Sequence, residues 1–315
     1  MLRMPAFTTR FAPAPTGYLH LGHVVNAIWV WGMARAHDGR VLLRIEDHDR
    51  GRCRPEYEQA ILDDLDWLGF VPDGAQTAAF RAGAHPQRQS DNTERYVARL
   101  AELESQGIAY SCTCSRSDIA RAHDARPEDP RRESPDAEQT GEELRYPGVC
   151  RTRALDPALT LARRVRVEPN IVEHFDDQRL GPQSQDPDVQ CGDFLARDRH
   201  GNFTYQFCVV VDDLDQGVDF IIRGEDLLDS TGRQLRLART LGRETPPRFL
   251  HHPLIRHPDG RKLSKSAGDT GVRELRTAGM SAAAVIGRAA ALAGIGSDGA
   301  PVAANDLARL FVQQL

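Results

Sequence analysis

His20 and His23 stand three residues apart at the end of the run Arg10-Phe11-Ala12-Pro13-Ala14-Pro15-Thr16-Gly17-Tyr18-Leu19. Ala6 to Ala12 reads as an extended strand. Pro13 and Pro15 bar its continuation, and Gly17 and Gly22 let the chain turn and approach another group closely. A helix follows from Val24, with Val24, Ile28 and Trp31 at helical spacing. Strand, glycine-bearing turn and helix together present backbone N–H groups and a positive dipole end to an anion. Here two imidazoles flank that point. Far along the chain, Lys262-Leu263-Ser264-Lys265-Ser266 sets two ammonium groups among small hydroxyls, after the turn Pro258-Asp259-Gly260. Donors and cations of this kind stabilise charge spreading over a phosphoryl group.

Three further sets of residues carry chemistry. The apolar run Val41 to Ile45 reads as a second buried strand ending in Glu46-Asp47-His48-Asp49-Arg50. Carboxylates at the C-terminal end of a strand in an open α/β sheet sit where ligands bind, and Glu46 suits a substrate ammonium. Phe220-Ile221-Ile222-Arg223-Gly224 repeats the device with a guanidinium, a good bidentate clamp for a carboxylate. Cys112-Thr113-Cys114 with the distant Cys150 offers three soft ligands, which suits tetrahedral Zn²⁺. Ligand statistics favour His123 as the fourth. Cys53, Cys191 and Cys208 lack partners at ligand spacing and read as packing residues.

The elements that hold these groups are legible in part. Pro55 to Leu68 is the clearest helix, with Pro55 at its first position, a stripe of Tyr57, Ile61, Leu65 and Leu68, and Gly69 as cap. Ser90 to Gln106 is a second, capped by Ser90 or Asp91, with Tyr96, Leu100 and Leu103 inward. From about Tyr110 to Arg145 the chain turns polar, and after the cysteine pair it reads as a surface loop. Arg163 to Val167 alternates like a half-exposed strand. Phe194 to Ala196 and Phe203 to Tyr205 read as a hairpin. Tyr205 to Asp213 is a buried strand or a buried helix, which periodicity does not decide. Ser230 or Thr231 caps a helix running to Leu241. Short alanine-rich helices follow over Arg273–Ala278, Ser281–Ala293 and Asn305–Gln314.

The 315 residues are 40% hydrophobic and 27% charged, enough for a core and about two domains. A net charge of −5 gives no global field to attract nucleic acid, so a nucleic-acid partner would need a local patch. No signal-peptide-like start or membrane-length apolar run is present, and six cysteines without a secretory signal argue for reduced thiols or metal. A cytoplasmic protein is expected.

The histidine and lysine elements, in this order and separation, resemble the two motifs of class I aminoacyl-tRNA synthetases. The longer stretch Arg10 to His23 resembles the glutamate/glutamine branch, as do Arg44-Ile45-Glu46-Asp47-His48-Asp49 and Tyr205 to Asp213. The resemblance implies a Rossmann-like α/β catalytic domain. It implies catalysis by His20, His23 and Lys265, and ATP contacts from His20, Gly22, His23, Lys262 and Lys265, with Mg²⁺ accompanying ATP. Glutamate contacts would come from Arg10, Phe11, Ala12, Pro13, Ala14, Glu46, Tyr205 and Arg223. Ala14 stands where the family often has serine; Leu21 and Leu263 are apolar replacements of similar size.

Glutamyl-queuosine tRNA(Asp) synthetases, short paralogues within this family, carry a Cys-x-Cys…Tyr-x-x-x-Cys zinc site. That pattern maps onto Cys112, Cys114, Tyr146 and Cys150, one structural zinc per chain. Only 49 residues follow Ser266, too few for an anticodon-binding domain. The expected organisation is a catalytic domain in two halves, 1–109 and 191–272, an insertion over 110–190, and a helical tail over 273–315. The implied activity is tRNA-independent activation of L-glutamate by ATP and its transfer to queuosine in the anticodon arm of tRNA(Asp). Arg151, Arg153, Arg163, Arg164 and Arg166 are candidates for phosphate contacts. The alternatives are a truncated glutamyl-tRNA synthetase acting at the 3′ end and a silent tRNA-binding paralogue; intact His20, His23 and Lys265 argue against silence.

Overall fold

The computed structural model describes residues 6–124, 144–153, 155, 161–255, 271–296 and 298–311. Thr8–Phe11 (β1) pairs in parallel with Arg40–Leu43 (β2), Thr8 opposite Arg40 and Phe11 opposite Leu43. A parallel pair requires a crossover, supplied by Leu21–Ala36 (α1). Further strands run over Ala109–Cys112 (β3), Ala162–Val165 (β4), Glu173–Asp177 (β5), Gly181–Gln185 (β6), Phe194–Arg197 (β7), Phe220–Gly224 (β8) and Arg248–His252 (β9). The longer helices after α1 are Pro55–Leu68 (α2), Thr93–Ser105 (α3), Tyr205–Asp215 (α4), Thr231–Thr240 (α5), Val272–Thr277 (α6) and Ala282–Leu292 (α7).

β8 and β9 are parallel, β9 meets β5 in parallel at Phe249 and Asp177, and β5 turns back antiparallel into β6. β1 abuts this sheet at its start, where the Asp219 amide donates to the Thr8 carbonyl at 3.0 Å. The C-terminal ends of β2 and β8 therefore open on the same side as the α1 N-terminus, the crevice position of open α/β sheets. A separate antiparallel sheet, β3-β4-β7, lies beside the cysteine cluster.

α1 is apolar nearly all round, and Val24, Val25, Ile28, Trp29, Val30 and Trp31 are all buried. A helix of that kind must be covered on both sides. The strands cover one side. The tail covers the other: Val285, Ile286, Leu307 and Phe311 join the same core cluster as Val24 and Ile28. Phe311 meets Trp29 edge to face, with ring centroids 5.1 Å apart.

Local signals set several boundaries as read from the sequence: α2 spans Pro55 to Leu68, and Gly69 takes a left-handed φ of 81°. Others differ. α1 begins at Leu21, three residues before its first apolar-spaced position, because His20 caps it. Gln89–Asn92 is a 3-10 turn and neither Ser90 nor Asp91 caps α3. Ser230 stands at the α5 cap position without capping it; its hydroxyl accepts from Gln206 Nε2 at 3.0 Å instead. Tyr205 opens a helix, and the expected hairpin is reduced to one bridge, Arg197 to Phe203. Arg116–Asp124 is helical where a loop was expected, while residues 125–143 of that loop lie outside the described residues.

The strand expected to be half-exposed, β4, is buried at all four positions. Its arginines are spent internally. Arg163 donates to Glu104 at 2.5 Å; Arg164 donates to the Asp193 carbonyl at 2.8 Å and lies 3.8 Å over the Tyr146 ring. Arg151 pairs with Asp193, and Arg166 donates to the carbonyls of Gly107 and Arg151 while stacking on Tyr110. Of the five arginines proposed to contact phosphate, only Arg153 is exposed without such engagement among the described residues. Among the same residues, no helix is long and apolar enough to cross a membrane.

The tail is an integral part of the core. Phe311→Ala is expected to lower unfolding free energy by about 3–5 kcal/mol, read as a fall in the urea midpoint with the m-value retained.

Candidate active site and metal cluster

The α1 N-terminus fixes both histidines. His20 Nδ1 accepts from the Gly22 amide at 3.0 Å, and His23 Nδ1 accepts from the His20 amide at 3.1 Å. An accepting Nδ1 requires a neutral ring whose proton is on Nε2. Each ring thus carries an Nε2–H donor, with ring centroids 4.0 Å apart. Gly22 permits this cap: a Cβ there would lie 2.8 Å from His20 Cε1. His20 also pairs with Gly271, and the Val272 amide donates to the Leu19 carbonyl at 3.0 Å. The chain just beyond the lysine element is therefore anchored against the histidine element. Lys262 and Lys265 themselves lie outside the described residues.

A cleft of about 240 Å³ is lined by Arg10, Ala12, Asn26, Glu46, Tyr205 and Arg223, among others. A buried charge network shapes it. Arg44, fully buried, donates to Asp213 Oδ1 at 2.7 Å and to Glu46 Oε1 at 3.0 Å. Arg10 Nε donates to the same Asp213 oxygen at 3.0 Å. Burial works against the charge on Arg44, but Asp213, Glu46 and Asp212 outweigh it and raise its pKa. Burial likewise opposes ionisation of Asp213, and Arg10 and Arg44 reverse that and hold its pKa low. Asp212 is raised by burial, and Tyr96 and Gln89 donate to it at 2.9 and 2.8 Å.

Arg223 differs from these two arginines. It is 3% exposed, and its Nε, Nη1 and Nη2 donate to His251 Nε2 (3.0 Å), Gln234 Oε1 (2.6 Å) and Thr231 Oγ1 (2.8 Å). None of these is a carboxylate. Burial lowers its pKa, as expected of a cation with no ion-pair partner among the described residues. A buried guanidinium in such a setting is strongly favoured by an incoming anion.

Of the residues expected to contact glutamate, Arg10, Ala12, Glu46, Tyr205 and Arg223 line this cleft together. Phe11 does not: its side chain is in the core against Trp31, at 5.3 Å between ring centroids. Pro13 acts through its carbonyl, which accepts from the Glu46 amide at 3.0 Å, and the Ala14 carbonyl accepts from the Thr16 amide at 2.8 Å. Asn26 was missed, although one amide in the apolar run Val24 to Trp31 is a usable signal. Arg44 was also missed as a site residue; nothing local reveals partners 169 residues away.

The cysteines converge as their spacing suggested. Sulfur atoms of Cys112, Cys114 and Cys150 lie within 4.8 Å of one another and form a cluster able to hold a metal ion. Tyr146 Oη is 3.3 Å from Cys112 Sγ and 3.6 Å from Cys114 Sγ. These are the ligand-to-ligand separations of a tetrahedral site with metal–sulfur bonds of about 2.3 Å. Burial opposes ionisation of Cys150, but the Thr113 amide and hydroxyl and Tyr146 outweigh it and bring its thiol to about 6. Burial pushes Cys114 up to about 12. Tyr146 is pinned by Gly192, where φ is +62° and a Cβ would fall 2.2 Å from the Tyr146 carbonyl oxygen.

A family model described as the catalytic domain of class I tRNA synthetases (E and Q) matches residues 6–300. A glutamyl-Q tRNA(Asp) synthetase of Ectopseudomonas mendocina is 43% identical over 261 residues, covering 83% of this chain and 78% of that protein. One of Symbiobacterium thermophilum is 39% identical over 311 residues, covering 96% and 91%. Among solved structures, a glutamate tRNA ligase from Elizabethkingia meningosepticum in complex with its amino acid aligns with a TM-score of 0.76 at 24% identity. The alignment covers 98% of this chain and 65% of that one, and is a likeness of fold.

Removing Arg44 takes the guanidinium from buried Glu46 and leaves Asp213 with Arg10 alone. Arg44→Leu is expected to cost about 3–5 kcal/mol at neutral pH, measured by urea unfolding. Asp213 has a depressed folded pKa, so its stabilisation is present above its unfolded value of about 3.9 and is lost as pH falls through the folded one. The variant should therefore lose less stability than the parent on acidification.

Proposed function

The chain belongs to the catalytic-domain family of class I tRNA synthetases for glutamate and glutamine, and from that membership we propose that it activates L-glutamate with ATP and transfers it to queuosine in tRNA(Asp). The observation that carries the amino-acid part is the Arg223 cation, held by neutral partners and lining one cleft with Glu46. A glutamate side-chain carboxylate pairs with Arg223 and Arg10, and its ammonium with Glu46. Glutamine leaves a buried donor unmatched, at a large penalty in a dry site.

In the first step an oxygen of the α-carboxylate attacks the α-phosphorus of MgATP and pyrophosphate leaves. The Nε2–H groups of His20 and His23 donate to the phosphoryl oxygens as charge builds, and Lys265 adds a cation. Each such donor contributes a factor of roughly 10²–10³. In the second step a cyclopentenediol hydroxyl of queuosine attacks the acyl carbon, its proton is lost, and AMP leaves. The queuosine part rests on relatives aligned over most of both chains and named for that activity. A body of this length has a radius of gyration of about 20 Å, and an anticodon-arm substrate puts recognition and chemistry within its reach.

We assign the cysteine cluster to one structural Zn²⁺, with Tyr146 as fourth ligand. Cys112, Cys114, Tyr146 and Cys150 would hold it, and the bound ion would tie β3 to the Tyr146–Cys150 segment. In this reading 1–109 and 191–272 are the two catalytic halves, 110–190 the insertion and 273–315 the tail, and the enzyme works in the cytoplasm, where its tRNA is.

Glutamate-dependent ATP–pyrophosphate exchange should proceed without tRNA; exchange seen only after tRNA is added contradicts the first step. Labelled glutamate should go to queuosine-containing tRNA(Asp) and to its isolated anticodon stem-loop, and not to tRNA from cells unable to make queuosine. Equal charging of both tRNAs sinks the second step. Elemental analysis should find one zinc per chain, lost in Cys112→Ser with destabilisation of the insertion. Retention of zinc in Tyr146→Phe together with its loss in His123→Ala would overturn the Tyr146 assignment.

A further inference from the structure

Arg223 is held by a relay that begins in another element. Asp177 closes β5, and His251 lies in β9 beside it. Both side chains are fully buried. Asp177 Oδ2 is 2.7 Å from His251 Nδ1 and accepts from the His251 amide at 2.9 Å. Asp177 Oδ1 accepts from the amides of Arg179 and Leu180 at 3.0 and 2.9 Å. Three of the four neighbours of this carboxylate are amide N–H donors, so it stays ionised and presents an acceptor to His251 Nδ1. Burial opposes that ionisation, but the His251 hydrogen bond and the amides hold its pKa low.

The consequence for His251 is a fixed proton. Nδ1 must carry the hydrogen that Asp177 accepts, so Nε2 keeps its lone pair. That lone pair faces Arg223 Nε at 3.0 Å and the Thr231 hydroxyl at 3.3 Å. An Nε2–H would oppose the guanidinium N–H. Burial, together with the neighbouring Arg223 and Arg179 cations, lowers the His251 pKa against the pull of Asp177. With Nε tied to His251, Nη1 to Gln234 and Nη2 to Thr231, the guanidinium plane has one orientation.

We infer that Asp177 and His251 are positioning residues for substrate specificity: the carboxylate selects the Nδ1–H tautomer of His251, whose Nε2 aims Arg223 at the side-chain carboxylate of the amino acid. The inference rests on the reading of this cleft as the glutamate site. It also gives the β5–β6 hairpin, distant in sequence from β8, a direct part in amino-acid choice.

The tautomer is read without substrate. In ¹⁵N-histidine NMR of the full chain at pH 7, the resonances absent from His251→Gln should belong to a neutral Nδ1–H ring. An Nε2–H ring or an imidazolium overturns the inference. In pyrophosphate exchange, His251→Phe keeps the ring volume against Phe249 but removes the acceptor. It should raise KM for glutamate about tenfold or more and leave KM for ATP and kcat within about threefold. His251→Gln, which offers an amide oxygen, should recover most of the loss. A fall in kcat with KM for glutamate unmoved, or a glutamine variant no better than phenylalanine, overturns the inference. If His251→Phe does not fold, Asp177→Asn with the NMR readout decides: retention of the Nδ1–H tautomer overturns it. Arg223→Met separates the two levels. An unchanged KM for glutamate in that variant defeats the glutamate reading; a raised one, with His251 variants unaffected, defeats only the relay.

Discussion

The shared hold of Asp213 and Glu46 on Arg44 is the constraint from which the cleft is built. A guanidinium with no solvent exposure costs several kcal/mol to desolvate and is tolerated only with its hydrogen-bonding capacity met. Meeting it fixes the end of β2, the position of Glu46 and the face of α4 that carries Asp213. Because Arg10 shares the same Asp213 oxygen, β1 is fixed as well. The charges that would meet an amino acid are therefore set by bonds among themselves before any ligand arrives, which is the economical way to make an electrostatic site.

Two cations in one cleft serve different purposes because their partners differ. Arg10 is tied to a carboxylate and contributes mainly architecture plus whatever its remaining donors reach. Arg223 has neutral partners on three nitrogens. Its charge is available, and its geometry is not negotiable. Orientation supplied by neutral acceptors, with the charge left over for a ligand, is how a binding arginine differs from a structural one.

Where a signal is local, the sequence was a sufficient guide. Pro55 and Gly69 bracket α2 to the residue, and the Cys112–Cys114 spacing with Cys150 produced a cluster in space. The strand ends carrying Glu46 and Arg223 opened on one cleft for the same reason: apolar run then charge is a short-range pattern. What failed was non-local. The alternation in Arg163 to Val167 suggested an exposed face, but Glu104, Asp193 and the Tyr146 ring buried those arginines. Imidazole is not among the usual helix caps, so His20 concealed the first turn of α1. Val209 to Val211 fit a strand or a helix equally, and only burial on several sides resolved them as α4. Asp177 and His251 are separated by 74 positions and carry no motif at all.

Arg44 and Asp213 are 169 residues apart. At about 5–20 residues per second on the ribosome, Arg44 is made roughly 10–30 s before Asp213, the more distant of its carboxylate partners. Through that interval β1 and β2 can pair locally, but burying the end of β2 would leave Arg44 with Glu46 alone and its Nη1 without Asp213. The nascent amino-terminal half is thereby discouraged from closing its own interior early. The cleft is thus completed late in synthesis: it lacks Tyr205 and the Asp213 anchor until α4 has emerged.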